Sequence, residues 1–292
     1  MSAVPVVLAH AEIVAAKVAD SGIAPDRTVL FLHGIFGSGA NWRSFARRYV
    51  EARPSYSAVL VDLRKHGDSQ AFDPPHDLAH TAHDVRMLAA SLPRPVDTIV
   101  GHSFGGKVVL AILAEADRAA AEGRESPFAH LTRAVVVDST PSARADARGS
   151  ESTLAILGLL ESLPEVLESR ESFAEALTAH GLSQGIVQWL AMNVRRRDEG
   201  GFRFRVDLAA VRSLLDDYFA RDLWSVLEHP APGRRVDLVV GGRSDVFDAA
   251  DRQRARALAD RAPDSVGYTV IPDAGHWVHV DAPDALFAEL LR

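Results

Sequence analysis

The sequence contains no cysteine, which excludes disulfides, thiolate nucleophiles and cysteine-ligated zinc. It has no apolar run near the roughly 18 residues a membrane helix needs, so no membrane span is expected. Met1 to His10 is mildly apolar but lacks a basic leader, and Glu12, Lys17 and Asp20 break up the next ten residues. That stretch reads as an opening strand rather than a signal peptide, and a cytoplasmic protein is the default expectation. No Rossmann glycine fingerprint and no phosphate loop occurs, so no nucleotide cofactor is expected. Internal repeats and low-complexity tracts are absent as well.

An excess of basic charge is also lacking. Lys and Arg total 32 against 39 Asp and Glu, a net charge of −7. This balance argues against broad nucleic-acid binding, which draws its affinity from neutralising phosphates. Arg195-Arg196-Arg197 is a local basic patch followed at once by Asp198 and Glu199. A solvated helix end is the plain reading of such a run, and a clamp for an anionic substrate tail is the sharper one.

What is present is a chain of 292 residues, 47% hydrophobic, enough for one large α/β domain or a core with an inserted cap. Short apolar, β-branched runs recur at 28–32, 57–62, 96–100, 134–137, 236–240 and 268–271, after one or two opening strands within 4–18. Strands buried on both faces look like these runs, which predicts a mostly parallel, doubly wound sheet. Helical patterns at 41–49, 78–91 and 106–121 fall between them. The rhythm stops from about Pro141 to Pro232, where the patterns are helical, as at Leu154, Leu157 and Leu160. The expected organisation is an α/β core made of 1–140 and 233–292, with a helical cap at 141–232.

The chemistry concentrates at turns that follow strands. Gly101-His102-Ser103-Phe104-Gly105 matches G-x-S-x-G, with an apolar strand before it and a helix directly after. Such a turn strains its serine, and the flanking glycines leave room for neighbouring backbone. Ser103 is the expected nucleophile. A serine hydroxyl needs a base, and Gly275-His276-Trp277, after the last strand, offers His276. His279 is the nearby decoy, leaning into the next element. Two carboxylates end suitable strands: Asp138 after 134–137, and Asp245 in Gly242-Arg243-Ser244-Asp245. Either one is placed to orient the imidazole; as ordinary structure, each is a turn or capping residue. The loop His33-Gly34-Ile35-Phe36-Gly37 follows a strand, so the expected oxyanion hole is the N–H of Ile35 with that of Phe104, and Phe36 is the alternative in the first loop.

Several pieces together resemble one family. They are Leu32-His33-Gly34-Ile35-Phe36-Gly37-Ser38, Asp62-Leu63-Arg64-Lys65-His66-Gly67-Asp68-Ser69, Gly101-His102-Ser103-Phe104-Gly105-Gly106-Lys107, Val137-Asp138, Phe204-Arg205-Val206-Asp207-Leu208, Gly241-Gly242-Arg243-Ser244 and Ala274-Gly275-His276-Trp277-Val278-His279. The chain resembles an α/β-hydrolase fold serine esterase of the small bacterial esterase family that also has a mitochondrial branch. That resemblance implies hydrolysis of small-molecule carboxylic esters, with acyl thioesters as a further substrate class; a monomer or small homo-oligomer is the expectation for the chain. It carries the nucleophile to Ser103 and the base to His276. It ranks Asp138 first and Asp245 second as the acid, with Ser244 in the fold's usual acid slot and placed to hydrogen-bond the histidine. The chain departs from the mitochondrial branch in having Ala209 where that branch has an aspartate. Asp62, Arg64 and His66 match the family as structural residues.

Other candidates have plainer readings. His76, His80 and His83 share helical spacing, but no carboxylate set completes a site, so no metal is expected. Asp84 is expected to cap or bond locally. Trp189, Trp224, Phe173 and Tyr218 are expected in the core of the cap. Lys107 is expected outside the pocket. Two rival functions remain: a cofactor-free enzyme of another reaction type (lyase, C–C hydrolase or perhydrolase) on the same fold, and a ligand-binding receptor that does not turn over.

Overall fold

The computed structural model describes residues 6–21, 24–144 and 151–292. Val4 and Pro5, the head of the expected opening strand, lie outside the described residues. The apolar runs become strands β1 (His10–Ile13), β2 (Arg27–Leu32), β3 (Tyr56–Val61), β4 (Val96–His102), β5 (Arg133–Val137), β8 (Arg235–Gly241) and β9 (Val266–Ile271). They form one sheet in the order β1-β3-β2-β4-β5-β8-β9. Only the β1–β3 pair is antiparallel. Residues 16–18, read as part of an opening strand, instead enter helix α1 (Ala16–Ser21).

Alternate residues of each strand point to opposite faces, and both faces are covered. Leu30, Leu32, Ile99, Val136 and Leu238 belong to a core shared with α3 (Leu78–Ser91), α4 (Phe104–Ala121) and α10 (Ala249–Arg261). Val29, Phe31, Val100, Val135 and Val239 belong to a second core shared with α2 (Arg43–Ala52) and α12 (Pro283–Leu291). Burial on both sides explains why these strands are continuous apolar runs rather than alternating ones.

Between β5 and β8 lie α5 (Glu151–Ser162), α6 (Arg170–Ala179), α7 (Gln184–Ala191), α8 (Leu208–Ala220) and α9 (Ser225–Glu228). The insertion is not wholly helical: β6 (Val194–Arg196) and β7 (Phe202–Phe204) pair antiparallel within it. This hairpin corrects the reading of the arginine run as a helix end. Arg195 and Arg196 sit exposed on β6. The Arg195 guanidinium donates to the carbonyl of Met192 at 2.5 Å, and Arg197 stands 3.7 Å from Glu199. A short helix, α11 (Val278–Asp281), joins β9 to α12. No helix among the described residues is long and apolar enough to cross a membrane.

Candidate active site

The first functional turn joins β4 to α4. Ser103 occupies it with φ of 53°, a left-handed conformation that a residue with a side chain adopts only under constraint. Its N–H donates to the carbonyl of Val137 at 2.9 Å, which locks the turn to β5. The flanking glycines are required by contact. A Cβ on Gly101 would lie 2.3 Å from the carbonyl oxygen of Gly105, and one on Gly105 would lie 2.5 Å from that of His33. Ser103 therefore stands at the carboxyl edge of the sheet, the edge at which open α/β sheets bind ligands.

His276 arrives from the loop after β9. Its Nε2 lies 3.0 Å from Ser103 Oγ, and its Nδ1 lies 2.7 Å from Asp138 Oδ2. A carboxylate only accepts, so Nδ1 carries the proton and Nε2 is left bare toward the serine hydroxyl. Asp138 directly follows β5, at φ of 46°, and is wholly buried. The N–H of Asp138 continues the parallel ladder to Val239, and its Oδ1 accepts from the N–H of Gly241 at 2.9 Å. Ser244 does not reach the histidine, contrary to the expectation. Its hydroxyl donates to Asp138 Oδ2 at 2.5 Å. Asp245, the other expected carboxylate, is exposed and makes no hydrogen bond to His276. The Ser244 loop is fixed by Arg252, whose guanidinium donates to the carbonyls of Gly241 and Ser244 at 3.0 and 2.8 Å.

The loop after β2 brings Ile35 to the same cavity as Ser103, Phe104 and His276. The N–H groups of Ile35 and Phe104 have no hydrogen-bond partner among the described residues. The N–H of Phe36 is already spent: it donates to His66 Nε2 at 3.2 Å. That removes Phe36 as the alternative donor.

Sequence reasoning missed what holds this loop. His66 Nδ1 donates to the carbonyl of Arg64 at 2.9 Å while its Nε2 accepts from Phe36. His33 repeats the pattern, donating to the carbonyl of Gly34 at 2.7 Å and accepting from the N–H of Leu63 at 3.0 Å. Both rings must be neutral to accept. Burial first of all pushes the pKa of His33 down to about 4 and that of His66 to about 3. From the insertion, Asn193 donates its side-chain amide to the carbonyl of Phe36 at 2.7 Å. His66 is legible beforehand only as a structural residue through the resemblance, and the one hint of His33 is that it precedes a glycine after a strand.

Behind the catalytic histidine candidate, His102 donates from Nε2 to the carbonyl of His276 at 2.8 Å and so pins its loop. Burial, then the neighbouring His279 and His276, hold the His102 pKa well below its ordinary value. His279 packs on Trp42 and His102, at ring distances of 5.2 and 4.6 Å, and not on Ser103. Lys107 is buried but, as expected, does not line the cavity. Its ammonium donates to the carbonyl of Ser142 at 2.7 Å and stands 4.8 Å from the ring centre of Tyr218, which itself lines the cavity.

The remaining candidates are structural. Asp62 accepts from the N–H groups of Gly39 and Asp68 at 2.8 and 2.9 Å. Asp84 is not a local cap: it accepts from buried Arg64 at 2.6 Å, across from another loop. The rings of His76, His80 and His83 each face a different neighbour, respectively Arg64, Asp77 and Arg86. Phe173, Trp224 and Tyr218 are buried, whereas Trp189 is only half-buried.

The cavity over Ser103 measures about 200 Å³. Ser103, His276 and the two free N–H groups face it, with Thr153, Arg243, Ser244 and Asp245 as further polar lining and Ile35, Phe104, Ile156, Ile186, Leu215 and Val246 among the apolar walls. The arrangement suits attack on a carbonyl carbon with charge developing on its oxygen.

A profile described as the alpha/beta hydrolase family matches residues 29–290. Among curated proteins, the chain is 29% identical over 268 residues to Esterase YbfF of Escherichia coli (strain K12), covering 90% of this chain and 91% of that one. It is 28% identical over 258 residues to the sn-1-specific diacylglycerol lipase ABHD11 of Mus musculus, covering 87% and 76%. Among solved structures, a marine microorganism esterase superposes with a TM-score of 0.78 over 98% of this chain and 99% of that one, at 21% identity.

Proposed function

The chain belongs to the alpha/beta hydrolase family, and from that premise we propose that it is a serine hydrolase cleaving carboxylic esters through Ser103, His276 and Asp138. One observation carries the assignment: a single hydrogen-bonded line runs from the Ser103 hydroxyl through both nitrogens of His276 to a buried carboxylate, with distances of 3.0 and 2.7 Å. The named relatives are themselves an esterase and a lipase, which supports the ester class.

The mechanism follows from the geometry. The bare Nε2 of His276 takes the Ser103 proton as Oγ attacks the acyl carbon. Asp138 stabilises the resulting imidazolium, its charge held by Ser244 and the N–H of Gly241. The N–H groups of Ile35 and Phe104 receive the oxyanion, each worth roughly 3 kcal/mol in such a role. The imidazolium then protonates the departing oxygen or sulfur, and water repeats the cycle on the acyl-enzyme.

The test is hydrolysis of p-nitrophenyl acetate, and of its thioester counterpart, by wild type and Ser103→Ala. Loss of turnover by about 10³-fold or more in the variant is expected, because positioning and the oxyanion donors alone retain only residual catalysis. Equal rates would end the assignment.

A further inference from the structure

Two chambers adjoin across Ile186 and Trp277, and one of them holds the reacting centre. The first is the cavity of about 200 Å³ that holds Ser103 and His276 and is lined as well by Phe104, Leu215 and Tyr218. The second measures about 340 Å³ and is lined by Asn41, Trp189, His279 and Val280. Ile186 and Trp277 belong to both linings. These two side chains are therefore the partition between the chambers. Trp277 is propped by Trp189, at a ring distance of 4.6 Å and an interplanar angle of 70°.

We propose that the second chamber is the leaving-group subsite, so that the preferred substrates are esters of a short acyl group with a bulkier apolar alcohol, selected by Ile186 and Trp277. The proposal rests on the reading of Ser103 and His276 as the reacting pair.

The chemistry fixes which chamber takes which arm. The imidazole that accepts the serine proton must return it to the departing oxygen, so the alcohol leaves on the imidazole's side of the acyl carbon. The second chamber is built from Trp277, His279 and Val280, the residues that closely follow His276 in the chain. The first chamber holds Ser103 itself and is also lined by Phe104, Leu215 and Tyr218. Size points in the same direction. About 200 Å³ falls below the roughly 300–1,000 Å³ of most ligand pockets, and it must already hold the reacting carbonyl. About 340 Å³ falls inside that range. Val280 lies at the second chamber and is 65% exposed, the most exposed large apolar side chain described. An apolar alcohol seated there would cover it.

The test uses two neutral series. In p-nitrophenyl esters the acyl group grows from acetyl through butyryl and hexanoyl to octanoyl. In acetate esters the alcohol grows from methanol to hexanol and then to naphthylmethanol. For wild type, kcat/KM is expected to fall about tenfold or more beyond butyryl in the first series. In the second it is expected to rise about two- to fourfold per added methylene until the chamber fills, the factor that burying one methylene gives. Ile186→Ala and Trp277→Ala remove the partition, so each should flatten the alcohol gradient and admit longer acyl groups. Ile186→Ala carries the comparison should the larger deletion unfold the protein. A flat or falling alcohol series with p-nitrophenyl acetate still hydrolysed overturns the chamber assignment alone. Failure to hydrolyse p-nitrophenyl acetate at all overturns the serine esterase reading, and this proposal with it.

Discussion

The hydroxyl of Ser244 lies 2.5 Å from Oδ2 of Asp138, the carboxylate oxygen that also faces His276 Nδ1. Ser244, on the loop after β8, thus donates to a carboxylate that follows β5. A hydrogen bond to a charged group is worth about 1.5–3 kcal/mol. Ser244→Ala is therefore expected to lower kcat/KM roughly ten- to hundredfold, read in steady-state hydrolysis of a short ester, while circular dichroism stays native.

The choice between the two carboxylates has its own test. Asp138→Asn leaves the shape intact but removes the acceptor that fixes the His276 tautomer, a change that costs about 10⁴-fold in kcat in a related arrangement. Asp245 is exposed and makes no hydrogen bond to His276, so Asp245→Asn should cost less than about tenfold on the scale of rim effects. Comparable losses in the two variants would contradict the geometry.

The sequence shows the sheet and the elbow clearly for a physical reason. Strands such as residues 28–32 and 134–137 are buried on both faces and leave dense apolar runs, and Gly101 and Gly105 mark a turn where backbone meets backbone. The acid is ambiguous at that level because Asp138 and Asp245 both follow strands. The resemblance ranks Asp138 first, and the pairing of β5 with β8 sets that carboxylate beside Gly241 and Ser244. The β6–β7 hairpin leaves no apolar signature because its strands are three residues long and rich in arginine. The Arg64–Asp84 pair joins residues 20 apart, a separation at which no local pattern operates.

Acid should weaken the fold through His33 and His66. Their folded pKa values, about 4 and about 3, lie below the ordinary 6.5. Between those limits the unfolded rings bind protons that the folded rings refuse. Stability is therefore fully present above pH 6.5, falls as pH drops toward about 3, and levels off below it. Each ring contributes up to about 1.4 kcal/mol per pH unit inside its window. Urea unfolding against pH should show this slope, and His66→Gln should reduce it by about one proton.

Lys107 acts in a different window. Burial first, and the Arg144 guanidinium second, lower its pKa from 10.5 to about 7, against partial relief from Asp222, Asp251 and Asp217. Between about pH 7 and 10.5 the unfolded ammonium keeps a proton that the folded one has lost, so this group makes stability rise with pH. Lys107→Met lacks the titration. The stability of wild type relative to the variant should increase across that interval in parallel urea titrations, and a constant difference would show that the lysine does not titrate there.

The last prediction concerns the link between the insertion and the oxyanion loop. Asn193 lies on the segment leading into β6, and its amide donates to the carbonyl of Phe36, which sits at φ of 60° in the loop that carries Ile35. The Phe36 N–H is held by His66 on the other side, so the peptide units flanking this strained residue are clamped from two elements. Asn193→Ala would leave a buried carbonyl without its partner, at a cost of about 1–3 kcal/mol. If the clamp positions the Ile35 N–H, the loss should appear in kcat more than in KM, because that donor acts on the transition state rather than on bound ester. Loss confined to thermal stability, with kcat unchanged at a temperature where the variant is folded, would reduce Asn193 to a packing residue.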